Sequence, residues 1–256
     1  MIAWIKAFRF PISFMGAGLV ILGFRITKLP IPWLVPLTSL IILSATMLHN
    51  DWRDRFHDIK KGKTLAFKHP QGFLILTLII WIIAILLTIT LWLSDYRLGI
   101  IPTIAITIGL VYSETRLIPL MPTMLVAIGT AILPLFPILF EQKSVVIISI
   151  STFFIIFARE VIKDIQDIEI DSNYKWTLPK KLGPEKSYGM ISILLFTGLC
   201  FIPYSSSWRI NTLIIILLIT PFFIILAKEK FKLAKCFLDI ELSGIILWLI
   251  LGLSFN

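Results

Sequence analysis

Long apolar runs separated by short polar stretches dominate the chain. Phe73 to Leu93 and Thr212 to Ala227 contain no Lys, Arg, Asp or Glu. Runs of this length exceed most soluble core helices and suit a hydrocarbon layer about 30 Å thick. Hydropathy and helix breakers predict an all-α chain with nine spans, at approximately 10–26, 31–49, 73–94, 98–113, 118–139, 144–159, 187–205, 210–227 and 237–254. Pro11 and Pro32 lie near span starts, where a missing N–H does no harm. Pro134 and Pro137 fall inside the fifth span and predict a kink. The first span lacks the small-residue cleavage site of a signal peptide and reads as retained.

Composition removes other classes. Of the 256 residues 57% are hydrophobic and 15% charged, whereas a soluble domain carries about 25% charged residues. A soluble enzyme, a disulfide scaffold and a disordered tail are excluded. The two cysteines and three histidines form no zinc-ligand spacing. The net charge of +9 is a topology signal and does not point to nucleic acid. Nineteen of the 24 Lys and Arg residues lie in the N-terminus and in the loops after even-numbered spans. That bias predicts a multi-pass protein of the cell membrane with its N-terminus and large loops in the cytoplasm.

The acidic residues repeat. Asp51, Asp54 and Asp58 follow the second span, and Asp164, Asp167 and Asp171 follow the sixth, each offset by 113 positions. Thr64-Leu65 recurs at Thr177-Leu178 with the same offset. Four spans separate the copies, so both loops are expected on one membrane face. The pattern predicts a duplicated four-helix unit, in parallel orientation, plus a final helix. Spacings of three and four place each triad on one side of a helix.

Six clustered carboxylates repel one another unless cations intervene. Carboxylates without thiolates suit hard cations, and Mg²⁺ prefers one or two carboxylates plus phosphate oxygens. The expected ligand is therefore a Mg²⁺-chelated phosphate or diphosphate, with Arg9, Lys60, Lys61, Lys68, Arg116 and Lys163 as candidate anion contacts. A diphosphate at the mouth of an apolar bundle implies an amphiphilic substrate whose tail lies between spans, among membrane lipids.

These residues carry a resemblance. His49-Asn50-Asp51-Trp52-Arg53-Asp54-Arg55-Phe56-His57-Asp58 resembles the N-D-x-x-D-x-x-x-D motif of the UbiA family of intramembrane prenyltransferases. Arg159 to Asp171 resembles its second aspartate motif, Thr177-Leu178-Pro179 with Gly183 its T-L-P-x-x-x-G stretch, and Tyr112 to Arg116 its Y-S-x-x-x-K element, with the basic residue one position early. Arg9 falls where the family often has Arg-Pro. The resemblance implies a single domain over 1–256 with nine helices around a central cavity.

It further implies prenyl transfer from a polyprenyl diphosphate with Mg²⁺ as cofactor. Asn50, Asp51, Asp54, Asp58, Asp164, Asp167 and Asp171 would be the metal-side residues. Asp54, Asp58, Asp167, Asp171 and Tyr112 would be catalytic, and Asn50 would also contact the diphosphate. The form K-D-I-x-D-I-E-x-D is most similar to the branch that prenylates geranylgeranylglyceryl phosphate, and also resembles the branch that prenylates homogentisate, an aromatic acceptor. The chain departs from the family pattern in the lysine-rich segment Ile59 to Pro70, in Arg116 one position before and in place of the Lys, and in Ile170 for Gly. Two rival classes are a non-catalytic carrier of phosphorylated lipid and a CDP-alcohol phosphotransferase. The D-x-x-D-G-x-x-A-R pattern of the latter is absent.

Overall fold

A computed structural model describes residues 2–171, 174–201, 225 and 230–252. The described residues are helical with no strand. In chain order they form α1 (Ile2–Ala7), α2 (Phe10–Thr27), α3 (Leu34–Arg53), a 3₁₀ turn (Asp58–Lys61), α4 (Leu65–Lys68), α5 (Pro70–Ser94), α6 (Tyr96–Tyr112), α7 (Met121–Ala131), a 3₁₀ segment (Leu133–Phe140), α8 (Val145–Gln166), α9 (Leu178–Leu182), α10 (Pro184–Cys200) and α11 (Phe231–Gly252). The eighth expected span, 210–227, lies outside the described residues, position 225 apart.

By length and composition α2, α5 and α8 can each cross a membrane. The pair α7 and Leu133–Phe140 makes a fourth, bent by 51°. The bend falls where Pro134 lacks an N–H and its ring crowds the preceding turn, as the sequence predicts.

α5 shows how the bundle separates lipid from core. Phe73, Thr77, Trp81, Ala84, Thr88 and Leu91 are buried at spacings of three and four, while Ile75, Leu78, Ile82, Leu86 and Leu93 are exposed. The exposed stripe is the surface a hydrocarbon solvent requires. Thr77 and Thr88 donate to the carbonyls of Phe73 and Ala84, so neither hydroxyl is orphaned in an apolar layer. α8 is the central element, with 72% of its apolar window buried against 28% for α5.

Small residues set the closest approaches. A Cβ on Gly23 of α2 would stand 2.4 Å from the Pro134 carbonyl oxygen, so only glycine admits the kink there. Phe24 stacks at a tilt against Phe136 beside it, within a core that includes Leu19, Val20 and Leu133.

The aspartate motifs do not stay on one helix. α3 ends at Arg53 and α8 at Gln166, so each helix stops inside its motif. The negative end of a helix dipole disfavours three carboxylates in succession. The stops occupy the same register in both copies. Asp54 N–H bonds the Asn50 carbonyl and Asp58 N–H bonds that of Asp54, as Asp167 bonds Lys163 and Asp171 bonds Asp167. Thr64 and Thr177 each immediately precede a short helix. The repeat of the two loops is thus visible in the backbone.

Candidate active site

The two aspartate loops interlock. Lys61 of the first loop bonds Asp167 at 2.9 Å and Asp171 at 2.8 Å in the second. His57 Nε2 is 2.7 Å from Asp171. In the other direction the Tyr174 hydroxyl donates to Asp54 at 2.6 Å and accepts from Arg116, which also lies against Asp54. The His57 and Tyr174 rings stack with centroids 3.9 Å apart. Within the first loop, Lys63 bridges Asp51 at 3.3 Å and Asp58 at 3.0 Å, and Arg9 pairs with Asp51. Every motif aspartate therefore has a basic or hydroxyl partner, which removes the repulsion that their number implies.

Arg9 reaches its position through strained backbone. It caps α2 at φ 47°, a left-handed conformation that costs a non-glycine residue about 1 kcal/mol or more. Strain of this kind concentrates at functional positions.

Burial and partners move the loop titrations in opposite directions. Burial pushes the Asp58 carboxyl up, with Lys63 opposing. Burial also pushes Asp171 up, but hydrogen bonds from Lys61 and His57 outweigh it and the net direction is down. For Lys61, burial acts downward, and the bonds to Asp171 and Asp167 carry it above the usual lysine range.

Beneath the loops lies a cavity of about 140 Å³. Arg9, Asn50, Tyr112, Arg159, Glu160 and Lys163 form its polar end. Its trunk is apolar, with Ile42, Leu43, Ile108, Leu125 and Leu133 among the walls. One polar end on one apolar trunk matches an amphiphile.

The expected residues divide into groups. Arg9, Asn50, Tyr112 and Lys163 line the cavity, while Asp51, Asp54, Asp58, Asp167, Asp171, Lys61 and Arg116 form the interlocked layer. Asp164 is buried and held by Lys175 at 2.8 Å and by Thr123 at 3.3 Å, outside the cavity lining. Lys60 and Lys68 are exposed and join neither the layer nor the lining. Sequence reasoning missed His57, Lys63, Tyr174 and Lys175. The repeat held a signal for Tyr174, which stands 113 positions after Lys61.

Among the described residues, no group of three or more His, Cys, Asp or Glu side chains converges closely enough to hold a metal ion. Two carboxylate pairs come near. One lysine ammonium spans Asp51 and Asp58, and another spans Asp167 and Asp171. All donors are hard oxygens, and a pair of carboxylates completed by phosphate oxygens is what Mg²⁺ takes. The residues present fit that ion.

A family model, the UbiA prenyltransferase family, matches residues 13–235. The chain belongs to the UbiA prenyltransferase family. Membership places it among the prenyl-transferring enzymes. This UbiA chain is similar in fold to a structure described as digeranylgeranylglyceryl phosphate synthase in membranes, at 20% identity and a TM-score of 0.71, over 99% of this chain and 98% of that one. It is also similar to a UbiA homolog from Archaeoglobus fulgidus bound to GPP and Mg²⁺, at 13% identity and a TM-score of 0.67, over 95% and 99%. No curated protein matches it in sequence.

Proposed function

We propose that this UbiA-family chain transfers a polyprenyl group from an allylic diphosphate to a lipid acceptor of the geranylgeranylglyceryl phosphate type, dependent on Mg²⁺. The observation that carries the reading is the junction of two interlocked aspartate loops with the polar mouth of an otherwise apolar cavity. Support for the lipid acceptor comes from the form of the second motif and from the likeness to a digeranylgeranylglyceryl phosphate synthase. Nine spans, with the N-terminus and both loops in the cytoplasm, belong to the same proposal.

In this reading Asn50, Asp51, Asp54, Asp58, Asp167 and Asp171 would hold Mg²⁺. The ion, when bound, neutralises the diphosphate and makes it a better leaving group. Asp164 serves the fold through its Lys175 pair. Lys61 and Lys63 turn from their carboxylates to the incoming phosphate oxygens. Arg9 and Arg116 supply further positive charge to the departing diphosphate. The Tyr112 ring offers its π face to the allylic carbon as positive charge develops there. The apolar trunk holds the chain and keeps water from that carbon. The acceptor hydroxyl then forms the new C–O bond as the allylic carbon's bond to diphosphate breaks, and its proton passes to the departing diphosphate.

Purified protein in lipid nanodiscs, given Mg²⁺ and labelled geranylgeranyl diphosphate, is expected to yield labelled product from a panel of lipid and aromatic acceptors. Product from the phosphoglycerol ether supports the proposal, and product from an aromatic acceptor alone replaces its acceptor. Donor binding with no product from any acceptor or prenyl length makes the chain a carrier and overturns the enzymatic reading.

A further inference from the structure

A second amphiphile-shaped feature lies beside the cavity, built by α8 and α11. On α8, Lys163, Arg159, Ile156, Thr152 and Ile148 follow one another at spacings of three and four. On α11, Lys235, Asp239, Leu242 and Ile246 do the same. Such spacings align side chains on one helix face. The helices meet through Arg159, whose Nε and Nη2 reach Asp239 at 2.6 and 3.2 Å. Both stripes are charged at that end and apolar further along. Eleven residues separate Lys235 from Ile246, a drop of about 16 Å along the helix.

The charged end holds one more cation than it has carboxylates. Arg159 is buried and bonds both oxygens of Asp239 but only one of Glu160, whose other oxygen takes Lys163. Lys163 is then a second partner for Glu160, at 3.1 Å, and Lys235 a second partner for Asp239, at 3.3 Å. Both lysines line the cavity and are partly exposed, at 30% and 25%. Three cations face two carboxylates, a surplus that favours an anion. The aspartate loops make no use of Lys235.

The apolar end is a cleft of its own. Leu19 and Leu22 of α2, Ile148 and Thr152 of α8, and Leu242 and Ile246 of α11 line it. It shares Met15 and Ile156 with the main cavity, so the two spaces adjoin. The trunk of the main cavity runs instead among α3, α6 and α7. Two hydrocarbon spaces therefore open beside one polar mouth, as the joining of two chains requires.

We propose that the facing stripes of α8 and α11 are the acceptor site, binding a single-chain lipid with a phosphate head at Lys235 and its chain in the cleft of α2, α8 and α11. The assignment rests on the prenyl-transfer reading for the word acceptor, but not for the binding itself. Arg159 is the positioning residue that fixes α11 to α8 through Asp239.

The test is equilibrium binding to the full chain in nanodiscs, with no donor present. The probes are a single-chain glycerol phosphate ether and the same ether without its phosphate. Lys235→Gln should weaken the phosphorylated probe about tenfold, the scale of one charge-assisted hydrogen bond, and leave the neutral probe unchanged. Lys235→Arg should restore binding. Ile246→Trp should weaken both probes by filling the cleft. Binding of geranylgeranyl diphosphate with Mg²⁺ should be unchanged in Ile246→Trp, which lies outside the main cavity. Unchanged affinity for the phosphorylated probe in Lys235→Gln, or equal losses for both probes, overturns the site. Normal lipid binding in a protein that never binds geranylgeranyl diphosphate removes prenyl transfer and leaves this site standing.

Discussion

Lys61 and Tyr174 occupy equivalent positions of the repeat, and each crosses to the other copy's loop. Lys61 reaches Asp167, and Tyr174 reaches Asp54, the equivalent of Asp167. One contact is an ammonium on a carboxylate and the other a phenol on a carboxylate. The exchange ties the loops from both sides and leaves one side neutral.

Tyr174→Phe keeps the stack on His57 but removes the hydrogen bond to Asp54. The expected result is a several-fold rise in KM for the diphosphate with a smaller change in kcat, because Asp54 and Arg116 lose their common anchor. Steady-state kinetics checks it. A fall in kcat at constant KM would place Tyr174 in the reaction itself.

Asp54→Ala and Asp167→Ala should abolish turnover while the protein stays inserted and folded. Asp164→Ala should behave differently. It strands Lys175 in a buried site, a loss of about 3 kcal/mol or more. Thermal unfolding in detergent separates the two classes. Full activity in both Asp54→Ala and Asp167→Ala would reduce the loops to surface charge.

The tie between the loops has a defined pH window. Asp171 is held below its unfolded value, so its contribution to stability is present above about pH 3.9 and is lost as pH falls through the lower folded value. Lys61 is held above its unfolded value, so its contribution is present below about pH 10.4 and is lost as pH rises through the higher folded value. Asp58 has the opposite sign to Asp171. Its folded value is raised, so its contribution is present below about pH 3.9 and is lost as pH rises through the higher folded value. In a carboxyl ¹³C titration from neutral pH downward, Asp58 should protonate before Asp171. The reverse order would contradict the contacts described.

Gly23→Val should destabilise the bundle by about 1 to 3 kcal/mol through overpacking, since its Cβ would strike the Pro134 carbonyl at the kink. A lowered unfolding midpoint is the expected readout. Gly62→Ala is a useful contrast. Gly62 stands at φ 76° with open space around it, so any cost there comes from backbone conformation alone.

The all-helical class, the bent fifth span and the repeat of acidic loops were legible along the chain because each is a local property. Hydrophobic runs report solvent, proline reports a broken backbone bond, and spacing reports duplication. Asp51 and Asp58 could be named without coordinates, since a carboxylate cluster beside a membrane needs cations wherever it sits.

Which cation serves which carboxylate depended on tertiary structure. Lys60 and Lys61 are neighbours with the same charge, yet Lys61 turns inward to Asp167 and Lys60 stays exposed. The choice follows from a 3₁₀ turn and from a loop more than a hundred residues away. Asp164 and Asp167 likewise share a motif, and only the end of α8 between them sends one to a buried pair and the other to the site. The α8–α11 stripes were equally hidden, because Arg159 and Asp239 lie 80 positions apart and meet only when the helices close. Solvent preference and local bonding are written along the chain, whereas the pairing of distant charges is set by the closed bundle.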